Sequence, residues 1–140
     1  MATAGLSRGA FIAAHLAARD ERFRSLLGFA PLTRLSAIKE FSHMQHHHLS
    51  NGLDLKNLAS QLSDRHTRLY IGNDDSRVGT RECFDFAMAL VEHKKGRTSQ
   101  AELLIGPSIG AGGHGTSPEI FKQGADWIAA NFLMGKGKEG

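Results

Sequence analysis

Short apolar runs alternate with longer stretches of helical periodicity along this chain of 140 residues, and that alternation leaves few folds open. It is the pattern of βαβ units, in which buried strands pair in parallel and helices cross over between them. Residues 10–19 (AFIAAHLAAR) are apolar almost all round, which predicts a helix buried against a sheet. Residues 24–30 (RSLLGFA) stop at Pro31 and read as a buried strand. The stretch 32–52 is irregular, polar and rich in histidine. A helix fits 54–63, with Asp54 as its cap and Leu55, Leu58, Ala59 and Leu62 on one face.

The second half repeats the pattern. Residues 67–72 (TRLYIG) read as a strand, followed by the loop NDDSRVG. Thr80 then caps a helix over 81–94, whose core stripe is Cys83, Ala87, Leu90 and Val91. Residues 101–105 (AELLI) are the next strand, and the glycine-rich loop GPSIGAGGHGT leads to Ser117, Pro118 and Glu119. Serine at the cap, proline at the first helical position and an acid in the first turn predict a helix, here to about residue 133. The expected architecture is a three-layer α/β domain over 1–134. Its sheet is mainly parallel, with three full strands and a short edge strand at the N-terminus; 135–140 is expected to be a disordered tail.

Bulk properties narrow the function classes. A hydrophobic fraction of 41% with 22% charged residues is that of a globular protein with a real core, not a disordered chain. No apolar run approaches a membrane span. Met1–Gly5 lacks a basic segment followed by an apolar stretch, so no secretory signal is expected. Cys83 is the single cysteine, which excludes an internal disulfide framework and fits the reducing cytoplasm. The net charge of +3 is spread over scattered residues such as Arg19, Arg22, Arg24, Arg65 and Arg68, a distribution that asks for no nucleic-acid partner.

Three segments carry candidate chemistry. Gly5-Leu6-Ser7-Arg8-Gly9 matches G-x-S-x-G, in which a serine sits on a sharp strand-to-helix turn and flanking glycines let backbone and helix approach. In that setting the N–H of Arg8 can face a developing oxyanion. With 16 glycines in the chain the motif also arises by composition, and Gly106-Pro107-Ser108-Ile109-Gly110 is a second match. Ser7 is favoured because a helical pattern follows it at once, whereas Ser108 runs into further loop. The second segment is Asp74-Asp75, just after the strand ending at Ile71, at the sheet end where open α/β folds place ligands. Either aspartate could orient an imidazole, and the other could cap the loop. The third is His114, flanked by glycines between the last strand and the last helix.

Together these residues resemble the α/β-hydrolase family, especially its dienelactone-hydrolase and prolyl-oligopeptidase-like branches. The resemblance is carried by GLSRG with the helix after it, LLGFAP, RLYIGNDDSRV, AELLIGPSIGAGGHG and the closing PEIFKQGADWIAANF, nearly all of 5–133. The order Ser…Asp…His is that family's order. It implies Ser7 as nucleophile, His114 as general base, and Asp75 as the acid, because the family places its acid three residues before a valine, here Val78; Asp74 is the fallback. It implies a serine hydrolase acting on ester, thioester or amide bonds through an acyl-enzyme, with a small acyl substrate and no cofactor. Family members carry further strands before the elbow, where this chain has only Met1–Ala4. The resemblance therefore implies an absent second oxyanion donor, an absent pocket wall and an open sheet edge. The alternative reading follows: a non-catalytic half-domain that pairs with another copy or a partner chain through that edge.

Other polar residues read as background. His43, His46, His47 and His48 form a tract without carboxylate or cysteine at ligand spacing, more in keeping with a solvated segment than a metal site. His15, His66 and His93 read as ordinary helix or loop histidines. Cys83 and Trp127 read as core.

Overall fold

The structure is a computed structural model that describes residues 1–94, 96 and 98–139, with side chains through Leu133. Four strands form one parallel sheet in sequential order: β1 (Ala2–Leu6), β2 (Ser25–Phe29), β3 (His66–Gly72) and β4 (Ala101–Gly106). The N-terminal edge strand is thus a full member of the sheet, pairing from Ala2 with Ser25 to Leu6 with Phe29. Because every pairing is parallel, all four C-terminal strand ends lie along one rim of the sheet, and the loops leaving that rim can meet.

Alternation along the strands divides the core into two layers. Leu26, Leu69 and Ile71 face one side, where they pack with Ala13, Ala14 and Ala17 of α1 (Arg8–Arg19) and with Cys83, Phe86 and Leu90 of α4 (Thr80–Glu92). Leu27, Phe29 and Tyr70 face the other side, against Ile120, Trp127 and Ile128 of α5 (Pro118–Glu139). The rings of Phe29 and Tyr70 stack at 5.6 Å. Each large side chain so buried contributes about 1.5–3 kcal/mol.

Several local expectations change. The helix α1 buries only its alanine face; Ile12 and Leu16, one turn apart on the other side, are exposed. The segment 54–63 is not one helix but a 3₁₀ turn over Leu55–Leu58 leading into the short α3 (Ala59–Leu62). Its apolar face holds, with Leu55, Ala59 and Leu62 buried, but Asp54 makes no side-chain capping bond and pairs instead with Arg34 at 3.7 Å. The histidine-rich stretch forms 3₁₀ turns at Leu35–Ala37 and Lys39–Met44, then α2 (His48–Gly52), where His47 Nδ1 accepts the N–H of Leu49. Gly79, with φ 87°, caps α4 in place of Thr80, and Phe86 joins the buried stripe while Val91 is half-buried. At the start of α5 the hydroxyl of Ser117 accepts the N–H of Ile120. The helical backbone of α5 runs to Glu139, beyond the expected end near 133. The tail expected to be disordered over 135–140 falls on residues whose side chains lie outside the described set. Among the described residues no helix is long and apolar enough to cross a membrane.

Candidate active site

The nucleophile candidate sits where β1 gives way to α1. Ser7 has φ 56° and ψ −116°, a conformation that costs a non-glycine residue about 1–3 kcal/mol. The surrounding backbone holds it there. The N–H of Ser7 donates to the carbonyl of Phe29 at 2.8 Å, and its carbonyl accepts the N–H groups of Leu32 and Ala10, both at 3.1 Å. The turn is tight enough that a Cβ on Gly5 would lie 2.2 Å from the carbonyl carbon of Gly9. That approach is why the first glycine of the motif is required here.

His114 closes the 3₁₀ turn Ala111–Gly113 on the loop after β4. Its ring bridges two side chains from distant parts of the chain: Nε2 lies 2.9 Å from Ser7 Oγ, and Nδ1 lies 2.7 Å from Asp75 Oδ2. With the carboxylate accepting at Nδ1, the neutral imidazole carries its proton on that nitrogen. Nε2 is then free to accept from the Ser7 hydroxyl. The Asp75 side chain is fully buried, and its second oxygen, Oδ1, accepts the N–H groups of Arg77 and Val78 at 2.9 and 3.0 Å. Asp75 is therefore satisfied on both oxygens and fixed in direction, while His114 keeps a small opening at 13% side-chain exposure.

The acid and histidine loops are knitted together. Asn73 N–H donates to Gly106 O, and Ser76 donates to Gly112 O through both its N–H and its hydroxyl. Gly113, at φ 69°, passes so close to the Asp74 carbonyl that a Cβ would lie 2.1 Å from it. Ser108 belongs to this network: its hydroxyl accepts the N–H of Asp74 at 2.7 Å, and its own N–H donates to Asn73 Oδ1. The structure thus brings Ser7, His114 and Asp75 into one hydrogen-bonded line. Ser108 is a strut between loops, and Asp74 is exposed with Asp75, not Asp74, against the imidazole.

Arg8 is the first residue of α1, so its N–H is one of the helix's unsatisfied donors, at the positive end of the helix dipole. Arg8 lines, with Ser7 and His114, a cleft of about 320 Å³. Its lining also includes Ile38, Lys39 and Glu40, from the histidine-rich stretch for which the resemblance implies a cap over the active site. Glu40 reaches across to the Arg8 guanidinium at 3.3 Å. The feature missed from sequence is the Thr80 hydroxyl, which accepts the Asp75 N–H rather than capping its helix. A threonine after a glycine gives no local signal that separates the two roles. Cys83 lies beneath this loop, buried, and its thiol is pushed up to about 12, first by burial and then by the charge of Asp75. Among the described residues no three histidine, cysteine or acidic side chains converge as metal ligands.

No family model matches the chain, and no curated protein matches it. Solved structures do. An acetyl ester-xyloside bifunctional hydrolase from Caldicellulosiruptor lactoaceticus is 21% identical with a TM-score of 0.67, over 94% of this chain and 55% of that one. Dipeptidyl peptidase 4 of Porphyromonas gingivalis is 16% identical with a TM-score of 0.72, over 91% of this chain and 19% of that one. An S-formylglutathione hydrolase from Agrobacterium tumefaciens is 23% identical with a TM-score of 0.51, over 74% of this chain and 39% of that one. The four-stranded parallel sheet with helices on both faces is therefore an α/β-hydrolase fold in part. The chain spans between 19% and 55% of the length of these three structures.

Proposed function

We propose that this chain carries the catalytic centre of a serine hydrolase, of dienelactone-hydrolase or prolyl-oligopeptidase-like type, that cleaves esters or related acyl bonds. The observation that supports it best is the imidazole of His114, held by Asp75 on one nitrogen and turned to Ser7 by the other. Ser7 Oγ attacks the acyl carbonyl while His114 Nε2 takes its proton, and Asp75 stabilises the imidazolium that results. The Arg8 N–H donates to the tetrahedral oxyanion. Collapse expels the alcohol, which takes the proton from His114 and leaves an acyl-enzyme on Ser7. Water, deprotonated by the same nitrogen, then releases the acid. This chemistry needs no cofactor, and the lone Cys83 fits work in the reducing cytoplasm.

The test is labelling with a fluorophosphonate probe in the wild type, Ser7→Ala and Ser108→Ala. Labelling that disappears only in Ser7→Ala is the expected result. Loss only in Ser108→Ala, or no labelling of folded protein, would count against the reading.

A second reading has its own support. One side of β1 faces no other strand of the sheet, and Leu6 within that strand is 48% exposed. An open edge of backbone donors and acceptors beside an apolar side chain suits another copy of the chain, paired edge to edge. Light scattering decides this point: a dimer that dissociates in Leu6→Glu upholds it, and a monomer at high concentration sinks it.

A further inference from the structure

We propose that Ser108 is a positioning residue that sets Asp75 and His114 against each other; this rests on the serine-hydrolase reading of that site. Ser108 lies between the residue before the acid and the residue before the base. Its hydroxyl accepts the N–H of Asp74 at 2.7 Å, and Asp75 follows in the chain. On the other side, a Cβ on Gly113 would lie 3.0 Å from Ser108 Cβ, and His114 follows. One side chain thus touches both loops a single residue short of the groups that meet across them. The second G-x-S-x-G match of the sequence acquires a role other than nucleophile.

Ser108 is itself held from behind. Its N–H donates to Asn73 Oδ1 at 3.1 Å, and the N–H of Asn73 donates to Gly106 O at 2.7 Å. Asn73 and Ser108 therefore clasp each other just past Gly72 and Gly106, the last paired residues of β3 and β4. The fit is close: a Cβ on Gly72 would lie 2.3 Å from Ser108 Oγ. Through this clasp the sheet's rigidity reaches into the two loops. On the far side of Asp75, Ser76 joins the same loops by giving its N–H and its hydroxyl to Gly112 O, at 2.8 and 3.0 Å. The contact of His114 Nδ1 with Asp75 Oδ2 at 2.7 Å is bracketed between these two ties. Removing the Ser108 hydroxyl leaves the exposed Asp74 N–H to water, and the acid loop is then tied on one side only. The imidazole loses its fixed partner at Nδ1, and a ring that carries its proton on Nε2 cannot accept from Ser7.

The experiment reads the tautomer of His114 by long-range proton–nitrogen NMR at alkaline pH, where an imidazole is neutral. The signals are assigned by their loss in His114→Gln. Wild type should carry the proton on Nδ1, and Ser108→Ala should show a mixture of the two tautomers. Fluorophosphonate should still label Ser7 in Ser108→Ala, about tenfold more slowly, and kcat should fall by the same factor with KM unchanged. Asn73→Ala should behave alike. Asn73→Asp, which keeps an oxygen for the Ser108 N–H, should restore most of the rate. The double variant Ser108→Ala/Asn73→Ala should be no slower than the slower single one, because both break one clasp. A serine that served stability alone would lower the melting temperature and leave tautomer and rates as they are. That result, or equal tautomer populations in wild type and folded Ser108→Ala, overturns the proposal. If the wild type neither labels nor turns over an ester while the tautomer still shifts in Ser108→Ala, the hydrolase reading fails and the positioning role stands.

Discussion

The hydroxyl of Thr80 accepts the N–H of Asp75 at 3.0 Å and donates to the carbonyl of Gly72 at 2.6 Å, so one side chain ties the end of β3 to the loop that aims the carboxylate. Thr80 touches neither Ser7 nor His114; it sets the direction of Asp75, which orients the imidazole. Replacing it by valine keeps the shape and removes both bonds, at about 1–3 kcal/mol for the backbone groups left unpaired. Small displacements of catalytic groups are costly in rate. Thr80→Val should therefore lower kcat about tenfold with little change in KM, and Thr80→Ser should restore most of it. Steady-state kinetics with a folded-state check by circular dichroism separates this from simple unfolding; equal rates in Val and wild type would remove Thr80 from any positioning role.

The two adjacent aspartates should behave differently. Asp75 holds the imidazole and receives two further backbone donors, whereas Asp74 is exposed. Asp75→Asn preserves size but places an amide against Nδ1, which favours the wrong tautomer, and the loss expected is about 10³–10⁴-fold in kcat. Asp74→Asn should stay within about twofold of wild type, as surface substitutions usually do. Reversal of that order, read from kcat on any turned-over ester, would transfer the acid's role to Asp74.

What the sequence conveys and what it withholds follow from range. The parallel sheet is legible because each strand advertises itself locally, as Ser25–Phe29 does by ending at Pro31. The candidate residues are legible too, since Ser7 has a motif, and Asp75 and His114 sit in loops that follow strands. Their meeting is not, because it depends on contacts such as Gly113 against the Asp74 carbonyl and Ser108 between the two loops. The Asp54 reading fails for the same reason. Locally an aspartate before an apolar face is a cap, but Arg34, far off in sequence, takes the carboxylate. The pattern of α1 likewise gives no sign of which apolar residues stay outside. The alanine face packs on the sheet because small residues allow close approach, and that leaves Ile12 and Leu16 on the far side.

The two glycines of the elbow motif should not be equivalent. A methyl on Gly5 would meet Gly9 and Ala10 backbone atoms at 2.2–2.4 Å, with no side chain able to yield. Gly9 has nothing within 4 Å of its own Cβ position and lies in the first turn of α1. Gly5→Ala should abolish fluorophosphonate labelling and lower the melting temperature, by the several degrees expected of a strained core contact. Gly9→Ala should retain labelling and gain up to about 1 kcal/mol from helix propensity. A Gly5→Ala variant that melts and labels like wild type would mean that the turn opens more easily than its contacts imply.

Asp54 should make stability depend on pH in a direction opposite to that of an ordinary ion pair. It is 4% exposed, its Oδ1 has no hydrogen-bond partner, and Arg34 stands 3.7 Å from Oδ2. Burial holds its carboxyl above the ordinary 3.8; Arg34, the Leu35 N–H and Lys56 pull the other way, and Glu82 adds to the rise. The folded chain thus holds this proton more tightly than the unfolded one. Asp54 favours the fold fully only below the ordinary value, and that contribution is lost as pH rises through the raised one. At neutral pH the ionised, partly unsatisfied carboxylate works against the fold. Asp54→Asn should raise the melting temperature at pH 7, with the gain shrinking toward pH 4 and gone near pH 3. Calorimetry across that range checks it. A variant that melts lower than wild type at pH 7 would show that attraction to Arg34 outweighs the cost of burial, and the sign of the pH dependence would then reverse.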